Sequence, residues 1–335
     1  ILALVIGVYQ IFHATINLVT YVLYRKNKIR PRFRLLLDGL VLVFLGGTSL
    51  LSSTGNSVFQ LFVLGAYFFL YGVSNIRDGF LFEEEIGKNH LKRRIRISLP
   101  IVLAALIPAR TLAKINKFMQ ENADEREDIH LGMVKSGKTA ELEIFVHTAE
   151  TSLFSAIGHV DICYQGRVIS YGNYDPSSET LFGMVGDGVL YFCDRDKYID
   201  LCKRESQKTL FGYGIDLTPE MEKAVQKKLA ELKQLTIPWE PSADKIMTGD
   251  GKEDYTYAYK IRHETDGELY KFIKSKFKSY FVLSTNCVLL ADTIVGQAGT
   301  DILSPKGFIA PGTYQAYLNR EFEKPNSIVV SKHVY

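Results

Sequence analysis

Cys287 follows Ser284-Thr285-Asn286 and opens an apolar run that stops at Gly296. Ser, Thr and Asn are preferred helix N-caps and Gly closes helices, so the pattern predicts a buried helix with Cys287 in its first turn. Unpaired backbone N–H groups and the helix dipole favour an anion there, which stabilises a thiolate. Cys287 is therefore a candidate nucleophile, the alternative being a buried structural cysteine. A thiol nucleophile needs a base to share its proton and a third group to orient that base. His159 has the best context for the base. It begins a predicted strand straight after Ser155-Ala156-Ile157-Gly158, where a ring can emerge at a sheet edge. His147 ends a strand, His130 lies in a linker, His263 in a charged stretch and His333 in the tail.

The elements that must position this pair divide into two parts. Residues 1–24 are almost wholly apolar, and residues 35–51, 58–76 and 99–113 form three further apolar runs. A helix crosses a bilayer with about 20 residues, so about four transmembrane helices are expected, the last near the lower limit. Basic loops at residues 25–34 and 77–98 fall in the cytoplasm by the positive-inside rule, and the uncharged turn at 52–57 falls outside. If 99–113 crosses, the remainder is extracytoplasmic; if it lies along the interface, the remainder is cytoplasmic. Basic residues before that run and acidic ones after it favour crossing. His13 and Asp38 stand near membrane depth, and the structural reading is preferred for both, with Arg34 one turn before Asp38 as its partner. The chain opens on Ile rather than Met, consistent with numbering that begins inside a longer chain.

Residues 114–138 read as a polar stalk and linker, and 139–335 as one α+β domain. Alternating patterns predict strands at 140–147, 159–164 and 167–171, the last two joined by a Gln165-Gly166 turn into a hairpin. Further strands are expected at 188–193 and 209–217, with a helix over 194–205 between them. Thr218-Pro219-Glu220 signals the clearest helix, with its lysines on a solvated face. A loop over 238–253, strand character at 255–259, a short helix at 313–318 and an edge strand within 327–334 complete the pattern.

The net charge of +3 and the lack of interleaved basic and aromatic residues argue against nucleic acid as a partner. The four cysteines contain no C-x-x-C pair, which excludes a zinc ribbon and leaves no metal or cofactor to expect. A disulfide between Cys193 and Cys202 stays open.

Phe154-Ser155-Ala156-Ile157-Gly158-His159-Val160-Asp161-Ile162, then Val168-Ile169-Ser170-Tyr171-Gly172, then Thr285-Asn286-Cys287, resembles the circularly permuted papain-like superfamily. That group includes permuted relatives of NlpC-type cell-wall peptidases and lecithin:retinol acyltransferase-like enzymes. The resemblance spans residues 140–318 and implies an antiparallel sheet with a nucleophile helix. It makes Cys287 the nucleophile and His159 the base, with the amides at the helix start, aided by Asn286, as the oxyanion site. The acyltransferase-like relatives carry a second histidine on the strand after the hairpin, and counting across the hairpin puts Tyr171 there. Asp161, two residues past His159 on the same strand face, and Asn173 are the substitutes.

The expected function is membrane-anchored acyl transfer or hydrolysis through a Cys287 thioester. The substrate class favoured is a membrane lipid or lipoprotein. A cell-wall peptidase or amidase with the same Cys-His site is the alternative. A non-catalytic module that binds a second membrane protein is the third reading, kept open by the missing second histidine.

Overall fold

A computed structural model of the chain describes residues 2–51, 61, 62, 65, 69, 131–134, 140–147, 158–206, 210–247, 251, 253–296, 315, 318, 319, 321–324 and 327–335. The chain divides into two compact units, Ile1–His90 and Leu91–Tyr335.

In the first unit, α1 (Leu2–Lys26) and α2 (Phe33–Leu51) pack along one another. Their segments Leu4–Lys26 and Phe33–Leu51 are long and apolar enough to cross a membrane. Small residues let the backbones approach: a Cβ on Gly39 would lie 2.8 Å from Leu18, and one on Gly46 would lie 2.9 Å from Ile11. Gln10 and Ser49 join the pair at 3.4 Å inside the contact. Asp38 meets Arg34 at 3.6 Å, and the His13 ring lies against Tyr9. Two candidate spans thus stand among the described residues where four were expected. The run at 99–113 lies outside those residues, and of 58–76 only positions 61, 62, 65 and 69 are described, each helical.

The second unit is built on a nine-stranded sheet. Its strands are β1 (Leu131–Val134), β2 (Leu142–His147), β3 (His159–Tyr164), β4 (Arg167–Gly172), β6 (Val189–Asp194), β7 (Leu210–Ile215), β8 (Thr236–Pro238), β11 (Glu268–Phe272) and β13 (Val329–Val334). Their order is β1-β13-β7-β2-β3-β4-β6-β11-β8, and neighbours pair antiparallel. Two short ladders stand apart: β5 (Val185–Asp187) with β12 (Ser279–Phe281), and β9 (Lys245–Met247) with β10 (Glu253–Tyr255). The helices are α3 (Arg195–Ser206), α4 (Pro219–Lys233), α5 (Tyr257–Glu264) and α6 (Cys287–Val295).

Period-two alternation sorts the strand side chains into two cores. Val160, Ile162, Ile169 and Tyr171 join α4 and α6 on one face, around Val225, Val288 and Ala291. Cys163, Val168 and Tyr191 join α3 and α5 on the other, around Tyr198 and Ile261. The fold is thus an α-helical N-terminal part followed by an α+β domain with an antiparallel sheet.

Several expectations change. Residues 131–134, read as linker, form a strand on β13, so the tail strand is covered rather than at the edge. Strand character at 255–259 gives way to α5, because Thr256 caps Tyr259 N at 3.2 Å and Ala258 and Ile261 bury at helical spacing. The loop at 238–253 contains β9 and the start of β10. The strands β5, β11 and β12 were not anticipated: two are three residues long, and the charges of β11 hide its alternation. Of the helix expected at 313–318, Gln315 and Leu318 are described, both helical. Cys193 and Cys202 are free thiols buried in one core, not a disulfide.

Candidate active site

Asn286 caps α6, its Oδ1 accepting from Leu289 N at 3.1 Å, while its Nδ2 donates to Val282 O at 3.0 Å. The side chain is held by the cap and the preceding loop, with one of its two amide N–H groups used. Cys287 occupies the first helical position and Val288 the second, where no carbonyl within the helix can receive the N–H groups. These two amides are the donors available to an oxyanion, and the helix dipole adds to them.

His159 is the first residue of β3, and 26% of its side chain stays accessible. Its Nε2 faces three oxygens: Asp161 Oδ1 at 2.8 Å, Ser170 Oγ at 2.9 Å and Tyr174 OH at 3.0 Å. The two hydroxyls lie 2.8 Å apart. Burial alone would lower the proton affinity of the ring. Asp161 first, and Cys287 after it, outweigh burial and hold His159 well above its usual value. A carboxylate against Nε2 favours a proton on that nitrogen.

The Asp161 side chain is fully buried. Its Oδ2 accepts from His147 Nε2 at 2.7 Å and from Tyr198 OH at 2.5 Å. Burial pushes the carboxyl up, but the charge of His159 and the bonds from both histidines win, leaving it far below the usual carboxylate range. Asp161 is therefore an ionised partner for an imidazolium. Tyr174 is held well above the usual phenol range by burial first and Asp161 second, so it keeps its proton.

The structure brings His159 and Asp161 together and sets Cys287 near enough to act on the His159 ring. It does not bring Tyr171 to them. Ile162 pairs with Ile169, which puts Tyr171 on the parity of Val160, facing α6 rather than His159. There the Tyr171 hydroxyl donates to Phe277 O at 3.0 Å, inside a cluster with Phe272 and Tyr280. Asn173 is also elsewhere: it packs against Gly186, and its Nδ2 lies 3.5 Å from Gly183 O.

Sequence reasoning missed Ser170, Tyr174 and Tyr198, and set His147 aside. Alternation on the hairpin carried a signal for Ser170, which shares the face of His159. Tyr174 had a subtler one in Gly172. A Cβ there would lie 2.6 Å from the Tyr174 ring, so only glycine lets that ring fold back onto His159. Among the described residues no group of His, Cys, Asp and Glu is arranged to hold a metal ion. No protein-family model, curated protein or solved structure matches the chain.

Proposed function

We propose that the chain is a membrane-anchored thiol enzyme that transfers or hydrolyses acyl groups through a thioester on Cys287. The observation that carries this reading is His159 Nε2 at 2.8 Å from the fully buried Asp161, with Cys287, at the start of α6, acting on the same ring. A thiolate–imidazolium pair backed by a carboxylate is an activated nucleophile with its acid already in place. In the first half-reaction the Cys287 sulfur bonds to the acyl carbon, and the carbonyl electrons move onto oxygen beside the Cys287 and Val288 amides. As the tetrahedral adduct collapses, His159 gives its proton to the departing alkoxide or amine, leaving a thioester. In the second, water or an amine gives its proton to His159 and attacks the thioester, and the thiolate leaves. Asp161 keeps the ring oriented throughout and stabilises the imidazolium each time it forms.

The order of motifs, with the G-H strand first and the N-C helix last, is what supports the permuted papain-like reading, and Asp161 stands in for the second histidine of the acyltransferase-like relatives. Asp161 also supplies the charge that a tyrosine at the third position would lack, which favours an active enzyme over a degenerate binding module. Two helices of spanning length favour a lipid or lipoprotein ester held near a bilayer.

The test is intact-protein mass spectrometry of the detergent-solubilised chain after incubation with membrane lipids, with and without hydroxylamine, alongside Cys287→Ala. A fatty-acyl adduct that hydroxylamine removes and Cys287→Ala lacks is the expected result. An adduct that persists on Cys287→Ala refutes the assignment. No adduct, together with cleavage of a cell-wall peptide amide by the parent and not by Cys287→Ala, replaces the lipid substrate with a peptide.

A further inference from the structure

We propose that the turn at Leu181-Phe182 is a membrane-insertion tip, which sets the mouth of the Cys287 site at the lipid headgroup layer. Leu181 is 50% and Phe182 94% exposed, an unusual cost for two adjacent large apolar side chains. Both hold positive φ, 51° and 58°, followed by Gly183 at 79°. Residues with side chains rarely adopt that backbone, and turns that need it normally use Gly, Asn or Asp. Local preference is broken here twice in succession, and such breaks mark functional positions.

The turn is not a slack loop. Thr180 and Val185 exchange both backbone hydrogen bonds at 2.8 and 3.2 Å beneath it. Further down, Lys271 Nζ bridges Asp175 at 2.5 Å and Asp187 at 2.9 Å, and Asp187 N donates to Ser178 Oγ at 2.9 Å. The stem is also tied to the nucleophile. Its strand β5 pairs with β12, and Val282 N donates to Met184 O at 3.0 Å, five residues before Cys287. A force on the tip is thus transmitted to the segment that leads into α6.

The occupant is a bilayer rather than a protein groove. The chain itself carries two helices long and apolar enough to sit in one. Lys278, at the end of the β5–β12 ladder away from the tip, and Lys274, just before it, are exposed, which gives the base of the stem positive charge suited to an anionic headgroup layer above an inserted apolar tip. Docking itself does not rest on the proposed chemistry; only its purpose, delivery of an acyl ester to Cys287, does.

Tryptophan fluorescence of the full chain in bilayer nanodiscs tests this. The native tryptophan, Trp239, is replaced by Phe, and Phe182→Trp becomes the reporter. The discs contain phosphatidylcholine and phosphatidylglycerol, with or without bromine on the acyl chains. The expected result is a blue-shifted emission that bromolipid quenches and aqueous iodide does not, weakened when Lys274 and Lys278 are changed to Glu. A water-like emission, open to iodide and blind to bromolipid, overturns the proposal. Leu181→Trp is the second reporter, and an unchanged thermal midpoint shows that each variant is folded. Repeating the measurement on Cys287→Ala reads docking without acyl transfer, so failure of one is distinguishable from failure of the other.

Discussion

Asp161→Asn isolates the charge that the site depends on. Asn matches Asp in shape, so it removes the negative charge without opening a cavity. At 2.8 Å from His159 Nε2, with a fully buried carboxylate, the ion pair is worth about 4–6 kcal/mol at an effective dielectric of about 20. Each 1.36 kcal/mol is a factor of ten in rate, so loss of the pair in the transition state predicts a fall of about 10³- to 10⁴-fold in acylation. The direction has a second cause. An Asn amide facing Nε2 donates rather than accepts, so it no longer fixes the tautomer of the ring as the carboxylate does. Single-turnover acylation by a p-nitrophenyl acyl ester, read as nitrophenolate release, measures the rate. A variant within about tenfold of the parent rate refutes the assignment of Asp161 as the orienting charge.

The same variant changes stability with pH. The raised His159 contributes stability that is complete below its unfolded pKa of about 6.5 and is lost as pH rises through the folded value. The depressed Asp161 contributes stability that is complete above about 3.9 and is lost as pH falls through its folded value. Both are complete between those limits, so the parent is most stabilised by the pair in mildly acid solution. Thermal unfolding of the full chain in detergent shows that advantage, and Asp161→Asn flattens it.

Tyr171→Phe leaves the buried Phe277 carbonyl without its donor at a cost of about 1–3 kcal/mol, read by urea unfolding, with acylation kept. Loss of acylation in a folded Tyr171→Phe chain returns Tyr171 to the site. Asn286→Ala removes the cap on Leu289 N and costs about 1 kcal/mol by the same assay, with slower acylation because Cys287 sits on the loosened turn. Unchanged stability argues that the cap is not holding α6.

What the sequence determined by itself is local. The cap, first turn and end of α6 were legible because Asn286 and Gly296 act on their nearest neighbours. The β3–β4 hairpin was legible because alternation and a Gln165-Gly166 turn need no distant partner, and the same parity put Asp161 on the face of His159. Thr218 and Pro219 announced α4 in the same way. Tertiary structure decided what depends on contacts between distant segments. Leu131–Val134 is a strand only because β13 lies beside it, about 200 residues later in the chain. Tyr257–Glu264 is a helix because Ala258 and Ile261 have a core to enter, whatever the β-propensity of its tyrosines. Which of the candidate residues stands beside His159 was decided by the same means. Tyr171 and Asp161 were both admissible from spacing, and the register of β3 on β4 turned one toward α6 and left the other between His147 and His159. Charge chemistry is written in residue types, but which charges meet depends on strand parity and on the packing of helices that the local chain does not contain.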